Sequence, residues 1–303
     1  MAVRKAVILA AGLGTRLLPI TKELPKEMLP LYVREGDMVL LKPVLQVIFE
    51  QLYDAGIREF CFIVGRGKRA VEDHFTPDWD FLEFLESKGK ESLAEMLQNF
   101  YEKIEDSTIV WINQPKPRGT GEALLRARKF AEDEPFVVCA GDNLLLTNRP
   151  YMKELIDFFS SHEISCALVV KKVREPRLYG VIKGEEVAKG VYIVKDIIEK
   201  PKEPPSNLAN TSIYVFLPIV FKALQFIKPS PRGELELTSA IELLLNWNLQ
   251  VYALEVSDAI WIDVGNPSKY LEALIMSHHY AVNKASDLKQ YMEYLLSTLV
   301  VQT

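Results

Sequence analysis

Val7-Ile8-Leu9-Ala10-Ala11-Gly12-Leu13-Gly14-Thr15-Arg16, close to the start of the chain, decides the fold class. Val7–Ala10 is a continuous apolar run, the pattern of a strand buried on both faces, and it stops at a glycine turn. In α/β proteins ligands bind beyond the carboxyl ends of such strands. Two phosphate loops can be tested by spelling. The dinucleotide pattern needs a third glycine where Leu17 stands, and the P-loop needs a closing Gly-Lys-Ser/Thr; neither is present. What remains is a small-residue turn with Arg16 and, further on, Lys26 in Pro25-Lys26-Glu27-Met28-Leu29-Pro30. Backbone donors plus two cations suit a triphosphate. The same residues would equally make a tight strand-to-helix connection with solvated cations, and the turn alone favours neither.

Working outward, strand and helix signals alternate. Lys42–Asp54 has apolar residues at helical spacing and stops at Ala55-Gly56; Phe60–Val64 is a second buried strand. Phe81–Tyr101 reads as two short charged helices broken near Gly89, Ile109–Ile112 as a strand, Thr120–Phe130 as a helix, and Phe136–Ala140 as a strand ending at Gly141-Asp142. This is the signature of βαβ units on a mainly parallel sheet. The second half is richer in strands: Ser165–Val170, Val181–Lys183, Val191–Ile198, Ser212–Phe216, Gln250–Glu255 and Ile260–Asp263, with a helix at Leu237–Leu245. From Pro267 the chain reads as helix almost to its end. The expected architecture is a Rossmann-like, mostly parallel mixed sheet flanked by helices, with residues 1–266 as one α/β unit and 267–303 as a helical tail.

The 303 residues are 49% hydrophobic and 25% charged, an ordinary globular mixture, with net charge −5. No basic excess exists for a nucleic-acid backbone. Cys61, Cys139 and Cys166 lie in apolar runs and read as buried free thiols; with His74, His162, His278 and His279 they form no metal-spaced set. The adjacent pair His278-His279 is expected at the surface. The basic-then-apolar start reads as a first strand and not a signal peptide, and no stretch is long enough to span a bilayer, so the expected location is the cytosol.

A series of ordered motifs then resembles the sugar-1-phosphate nucleotidylyltransferase family, and within it the bacterial-type uridylyltransferases that act on glucose 1-phosphate. After Ala10–Arg16 and Pro25–Pro30 come Gln114 with Gly119-Thr120-Gly121-Glu122-Ala123, Gly141-Asp142, Tyr179-Gly180-Val181, Glu199-Lys200-Pro201, Pro205-Ser206-Asn207-Leu208, Gly233–Thr238 and Ile262-Asp263-Val264-Gly265-Asn266. The match runs from about residue 5 to residue 275. The charged helical stretch around Phe84–Lys90 resembles an insertion of the uridylyltransferase branch.

The resemblance implies a reaction: UTP plus glucose 1-phosphate gives UDP-glucose and pyrophosphate, by in-line attack of the sugar phosphate on the α-phosphorus with Mg²⁺ assisting. It implies roles residue by residue. Ala11 and Gly12 would face base and ribose; Gly14, Thr15 and Arg16 would hold the phosphates; Lys26 would contact the reacting phosphates; Gln114 and Gly119 would read the base. Asp142 and Asp263, each after a buried strand, would hold Mg²⁺. Gly180, Glu199, Lys200 and Asn210 would meet the sugar phosphate. Neighbouring strand residues point to opposite faces, so Glu199 and Lys200 can serve one ligand only if the strand ends or bulges near Pro201.

Two departures stand out. Glu122 replaces the histidine frequent in uridylyltransferases, which leaves dTTP as an alternative to UTP. Asn210-Thr211-Ser212-Ile213 replaces two apolar residues, a glycine and an arginine, in a loop expected beside the sugar, which predicts acceptance of a second hexose 1-phosphate. Thymidylyl transfer, or transfer to another hexose 1-phosphate, is thus one alternative. A non-catalytic nucleotide-sugar-binding protein is another, against which the presence of Arg16, Lys26 and Asp142 weighs. Phe81–Tyr101 and Tyr270–Leu299 carry more apolar residues than one small core absorbs, so a homo-oligomer, dimer or tetramer, is expected.

Overall fold

The computed structural model describes residues 2–231, 233–282, 291 and 293. In chain order, β1 (Lys5–Ala10) leads through a turn to the hairpin β2 (Pro30–Glu35) and β3 (Met38–Pro43), then α1 (Val44–Asp54) and β4 (Glu59–Val64). Next come α2 (Arg69–His74), α3 (Trp79–Ser87), α4 (Glu91–Glu105), β5 (Thr108–Asn113), α5 (Thr120–Arg126), α6 (Arg128–Ala131), β6 (Phe136–Ala140), β7 (Asn143–Leu146) and α7 (Tyr151–Ser161). The rest is β8 (Cys166–Lys172), β9 (Gly180–Ala188), β10 (Val191–Glu199), β11 (Leu208–Phe216), α8 (Ile219–Phe226), α9 (Leu237–Asn246), β12 (Val251–Glu255), β13 (Ile260–Asp263) and α10 (Pro267–Val282).

Nine strands form one sheet in the order β5-β4-β1-β6-β11-β8-β12-β10-β9. β5, β4, β1 and β6 are mutually parallel; β11 pairs antiparallel with β6 and β8, and β10 antiparallel with β12 and β9. The apolar run of β1 is explained by its place: its alternating side chains feed two layers. Ala6 and Ile8 pack with Phe49 of α1, Phe100 of α4 and Leu155 of α7, while Val7 packs with Leu124 of α5, Leu224 of α8 and Ile241 of α9. Each fully buried Ile, Leu or Phe contributes about 1.5–3 kcal/mol. The chain runs outward from β1 to β4 and β5 and then returns to place β6 on the other side of β1, so the strand order reverses between β1 and β6, and the turns after these two strands part at their carboxyl ends and open a crevice there.

Most expected elements are present within a few residues of their expected ends, including the break at Gly89 between α3 and α4. Five features fall outside the expectations: the β2–β3 hairpin, α2, β7, α7 and α8. α7 was legible, since Met152, Leu155, Ile156 and Phe159 recur on one helical face and are all buried. The segment Asn210–Ser212 is strand and not loop: β11 already starts at Leu208 and carries a bulge there. His279 is buried and His278 half-buried, contrary to a surface pair, because α10 lies on β2, and His278 stacks edge-on to Tyr32 at 4.6 Å. The helical tail expected beyond Val282 lies outside the described residues, Tyr291 and Glu293 apart.

Beside the core, His74 sits against Phe75 and Phe100 with one ring nitrogen 3.0 Å from Gln46 Oε1. Burial pushes its imidazole down to about 4. The unfolded chain therefore binds an extra proton between about pH 6.5 and 4, so stability is full above that window and falls by about 3 kcal/mol through it. Urea denaturation should show the parent losing that much more than His74→Gln between pH 7 and 4; equal losses would contradict the assignment.

Candidate active site

The crevice holds a cavity of about 560 Å³, and every residue given a substrate or metal role from the sequence lines it: Ala11, Gly12, Gly14, Thr15, Arg16 and Lys26 from the β1 side, Gln114 and Gly119 after β5, Asp142 after β6, and Gly180, Glu199, Lys200, Asn210 and Asp263 from the second half. Asp142 and Asp263 meet because β7 and β13 form a separate two-stranded ribbon, in which Asp263 pairs with Asn143 and the Val264 N–H donates to the Asp142 carbonyl at 3.3 Å. Two acids 121 positions apart are thereby delivered to one strand end.

The floor of the cavity is a chain of charges. Lys26 Nζ is ion-paired with the Asp142 carboxylate, each side chain only 15% exposed. Beside it Glu27 is buried and paired with Lys68 at 2.5 Å. Burial opposes the Lys26 charge, but Asp142, Glu27 and Asp263 outweigh it and hold the ammonium above its ordinary range. Burial likewise opposes Asp142 ionisation, yet Lys26 and the Asn143 amide hold that carboxyl below its usual range. Asp263 goes the other way. Burial and the neighbouring Asp142 charge raise it, with Lys26, Arg16 and the Gly265 N–H (2.8 Å) offsetting only part. Arg16 reaches this end from the glycine turn.

At one end, Gln114 Nε2 donates to Glu122 at 2.6 Å and to the Gly119 carbonyl at 3.3 Å. Gly119 has φ +100°, and a Cβ there would collide with the Leu235 carbonyl, so only glycine fits. Gly121 N–H and Leu235 N–H complete this seam with the Leu235 and Arg118 carbonyls at 2.7 and 2.9 Å. That contact explains why the Gly119–Gly121 and Gly233–Thr238 motifs occur together.

At the other end, β10 stops at Glu199 and Lys200 takes φ +46°, the interruption that lets both line one cavity. Asn210, Ser212 and Tyr214 share the cavity face of β11, while Thr211 turns away and donates to Val169 O at 3.0 Å. Ser212 has φ +61°, Asn210 Nδ2 donates to Tyr214 Oη at 2.6 Å, and Asn210 Oδ1 accepts the Ser212 N–H at 3.0 Å. Left-handed backbone at a non-glycine residue costs about 1–3 kcal/mol and concentrates at ligand sites. Reading the sequence alone missed Glu27, Lys68, Tyr214, Thr238 and Trp261. Glu27 adjoins Lys26 in the chain, but nothing local marks its burial.

A sheet-end cavity combining backbone donors, cations and two carboxylates defines a protein that handles phosphorylated nucleotides. The sequence pattern of the nucleotidyl transferase family matches residues 5–278, and the chain belongs to that family. It is 37% identical over 301 residues to the UTP–glucose-1-phosphate uridylyltransferase of Streptococcus pneumoniae serotype 4, covering 96% of this chain and 95% of that one. It is 36% identical, with the same coverage, to UTP–glucose-1-phosphate uridylyltransferase 2 of Streptococcus pyogenes serotype M3. Among solved structures it resembles a UDP-glucose pyrophosphorylase complexed with UDP-glucose (TM-score 0.78, 31% identity, 92% of this chain and 98% of that one) and a UTP-bound UGPase from Acinetobacter baumannii (TM-score 0.79, 26% identity, 97% and 98%).

The residues fit a divalent cation. No group of three or more metal-ligating side chains exists among the described residues. Asp142 and Asp263 offer two hard carboxylates, and their mutual repulsion is what a cation relieves. Mg²⁺ is commonly held by one or two carboxylates, with phosphate oxygens and water completing its shell.

Removing one partner of a buried ion pair costs about 3–5 kcal/mol, because the other charge stays behind. Lys26→Met should therefore destabilise the fold by about that much, and Lys26→Met with Asp142→Asn should recover most of it. Additive losses in this urea-denaturation cycle would show that the two groups are not coupled.

Proposed function

We propose that this chain transfers a uridylyl group from UTP to glucose 1-phosphate, giving UDP-glucose and pyrophosphate. The observation that carries the reading is the meeting of a phosphate turn, Lys26, paired carboxylates, Gln114 and Glu199 in one cavity of a chain with near-full-length uridylyltransferase relatives. An anionic oxygen of glucose 1-phosphate forms the new bond to the α-phosphorus while the bond to the bridging oxygen breaks and pyrophosphate leaves with the electron pair. The attacking oxygen is already deprotonated, so no general base is needed. In agreement, no histidine or cysteine lines the cavity among the described residues.

In this reading Gly14, Thr15 and Arg16 grip the triphosphate, Ala11 and Gly12 border the nucleoside, and Gln114 with Gly119 reads the base. Lys26 neutralises charge on the reacting phosphates; its ammonium waits beside Asp142 until a competing anion enters. Gly180, Glu199, Lys200 and Asn210 orient the sugar phosphate. Asp142 and Asp263 would hold Mg²⁺, which supplies further phosphate-charge neutralisation when bound. Residues 1–266 act as the catalytic unit, with 267–303 as an appended tail.

The amide and hydroxyl of Asn210 and Ser212 favour a second reading, in which another hexose 1-phosphate is also accepted. No described helix is long and apolar enough to cross a membrane, and three buried free thiols suit the reducing cytosol. The stacked, exposed Phe81 and Phe84 of α3 support a homo-oligomer, dimer or tetramer, which sedimentation at 34.5 kDa alone would refute.

Pyrophosphate release should be seen with UTP and glucose 1-phosphate, and a panel of other nucleotides and hexose 1-phosphates ranks the alternatives. Asp142→Ala and Asp263→Ala should each lose about 10²–10³ in kcat at saturating Mg²⁺, and Lys26→Ala should lower kcat more than it raises KM. Near-parent turnover in both aspartate variants would remove the metal assignment, and a change confined to KM would reduce Lys26 to substrate binding.

A further inference from the structure

Gln114 is buried just past the end of β5, with its backbone N–H held by Val64 O at 2.7 Å. Its carboxamide could face the cavity with either end. The surroundings decide which. Nε2 points at Glu122 Oε2 (2.6 Å) and at Gly119 O (3.3 Å), so both amide hydrogens have protein acceptors. Glu122, in the first turn of α5, is itself held: its other oxygen accepts from Arg126 Nε at 2.8 Å and Nη2 at 2.5 Å, four residues further along the same helix. Turning the carboxamide over would set its carbonyl oxygen against a carboxylate and a peptide carbonyl, two repulsive contacts in a buried place. The chemistry therefore leaves Oε1, a pure acceptor, as the atom offered to the cavity.

We propose that Glu122 is a positioning residue for base selection: by fixing Gln114 as an acceptor, it makes the site select a pyrimidine with a ring N–H at its pairing edge, uracil or thymine, over cytosine. This rests on the nucleotide end of the function proposed above. Cytosine presents a lone pair at the ring nitrogen where uracil and thymine present a hydrogen. With Oε1 opposite the ring nitrogen, cytosine would set acceptor against acceptor, and its amino group, one position along the edge, cannot replace that bond unless the base shifts; a buried site built on one hydrogen bond rejects the partner that cannot make it. Glu122 does this without lining the cavity. In this reading Gln114, so fixed, meets the uracil edge. Thymine shares that edge, so Glu122 does not separate UTP from dTTP.

Calorimetry separates this claim from the claim of turnover. Dissociation constants for UTP and CTP should be measured in the presence of Mg²⁺ on the parent, on Glu122→Gln and on Arg126→Met. In Glu122→Gln the introduced carboxamide can donate or accept, which removes the shorter of the two contacts that hold Gln114 in one orientation. The parent should bind UTP at least 100-fold more tightly than CTP. Glu122→Gln should cut that ratio at least tenfold, mainly by gaining CTP affinity, whereas Arg126→Met, which keeps the carboxylate, should leave the ratio within about threefold. A merely structural role for Glu122 would weaken both nucleotides together and leave the ratio unchanged. An unchanged ratio in Glu122→Gln would overturn the proposal, and so would equal binding of UTP and CTP by the parent, an outcome that needs no variant to fold. UTP discrimination that falls as expected, in a protein that makes no UDP-glucose, would uphold this inference while refuting the proposed reaction.

Discussion

The ion pair between Lys26 and Asp142 is the contact on which the rest of the site depends. It joins the turns leaving the two adjacent parallel strands β1 and β6, and it is almost shut off from water. A buried charge persists only if something compensates it. Here compensation runs in a line: Lys68 to Glu27, Glu27 beside Lys26, Lys26 to Asp142, and Asp142 against Asp263 with Arg16 at the edge. Three cations face three carboxylates along this line, and two of the carboxylates, Asp142 and Asp263, meet at one end of it. Burial, with the neighbouring Asp142 charge, raises the Asp263 carboxyl above its ordinary range, so added positive charge is favourable there.

The fold holds the two ends of the cavity apart from this line. The Gln114–Gly119 end is locked by the seam to Leu235 and by the Glu122–Arg126 pair, and the Glu199–Asn210 end is held by two left-handed residues and an internal Asn210–Tyr214 bond. Between them no histidine or thiol lines the cavity among the described residues. The cysteines lie in the core instead, with burial pushing the Cys61 and Cys139 thiols up to about 12, far from nucleophilic use. In the proposed reaction, rate acceleration would rest on placed charges and oriented substrates, the way phosphoryl-type transfer is ordinarily catalysed.

Much of this was legible in the sequence, for definable reasons. Continuous apolar runs such as Val7–Ala10 and Phe136–Ala140 announce central strands because both of their faces must be buried. Glu199-Lys200-Pro201 demanded an interrupted strand, and Lys200 supplies it with a positive φ. Less legible were features made only by tertiary contact. In the β7–β13 ribbon that unites Asp142 with Asp263, Ile260–Asp263 was expected as a strand, but its four-residue partner β7 and the pairing between them were not. Lys68 reads as a surface lysine after a glycine turn and becomes a buried partner only when α2 starts beneath Glu27. Asn210–Ser212 reads as a polar loop because short polar side chains favour turns, yet the bulge keeps it within β11. His279 was misplaced for a similar reason: a helix laid on β2 buries a face wide enough to include it.

The central claim is that this cavity joins two phosphates in a single displacement, with positioned charge and no protein nucleophile. The most direct measurement is the stereochemical course at the α-phosphorus, using UTP made chiral by one sulfur at that position, with glucose 1-phosphate as acceptor and ³¹P NMR of the UDP-glucose thiophosphate product. One in-line displacement predicts inversion. Retention would mean two displacements through a covalent uridylyl-protein intermediate, and would contradict the account.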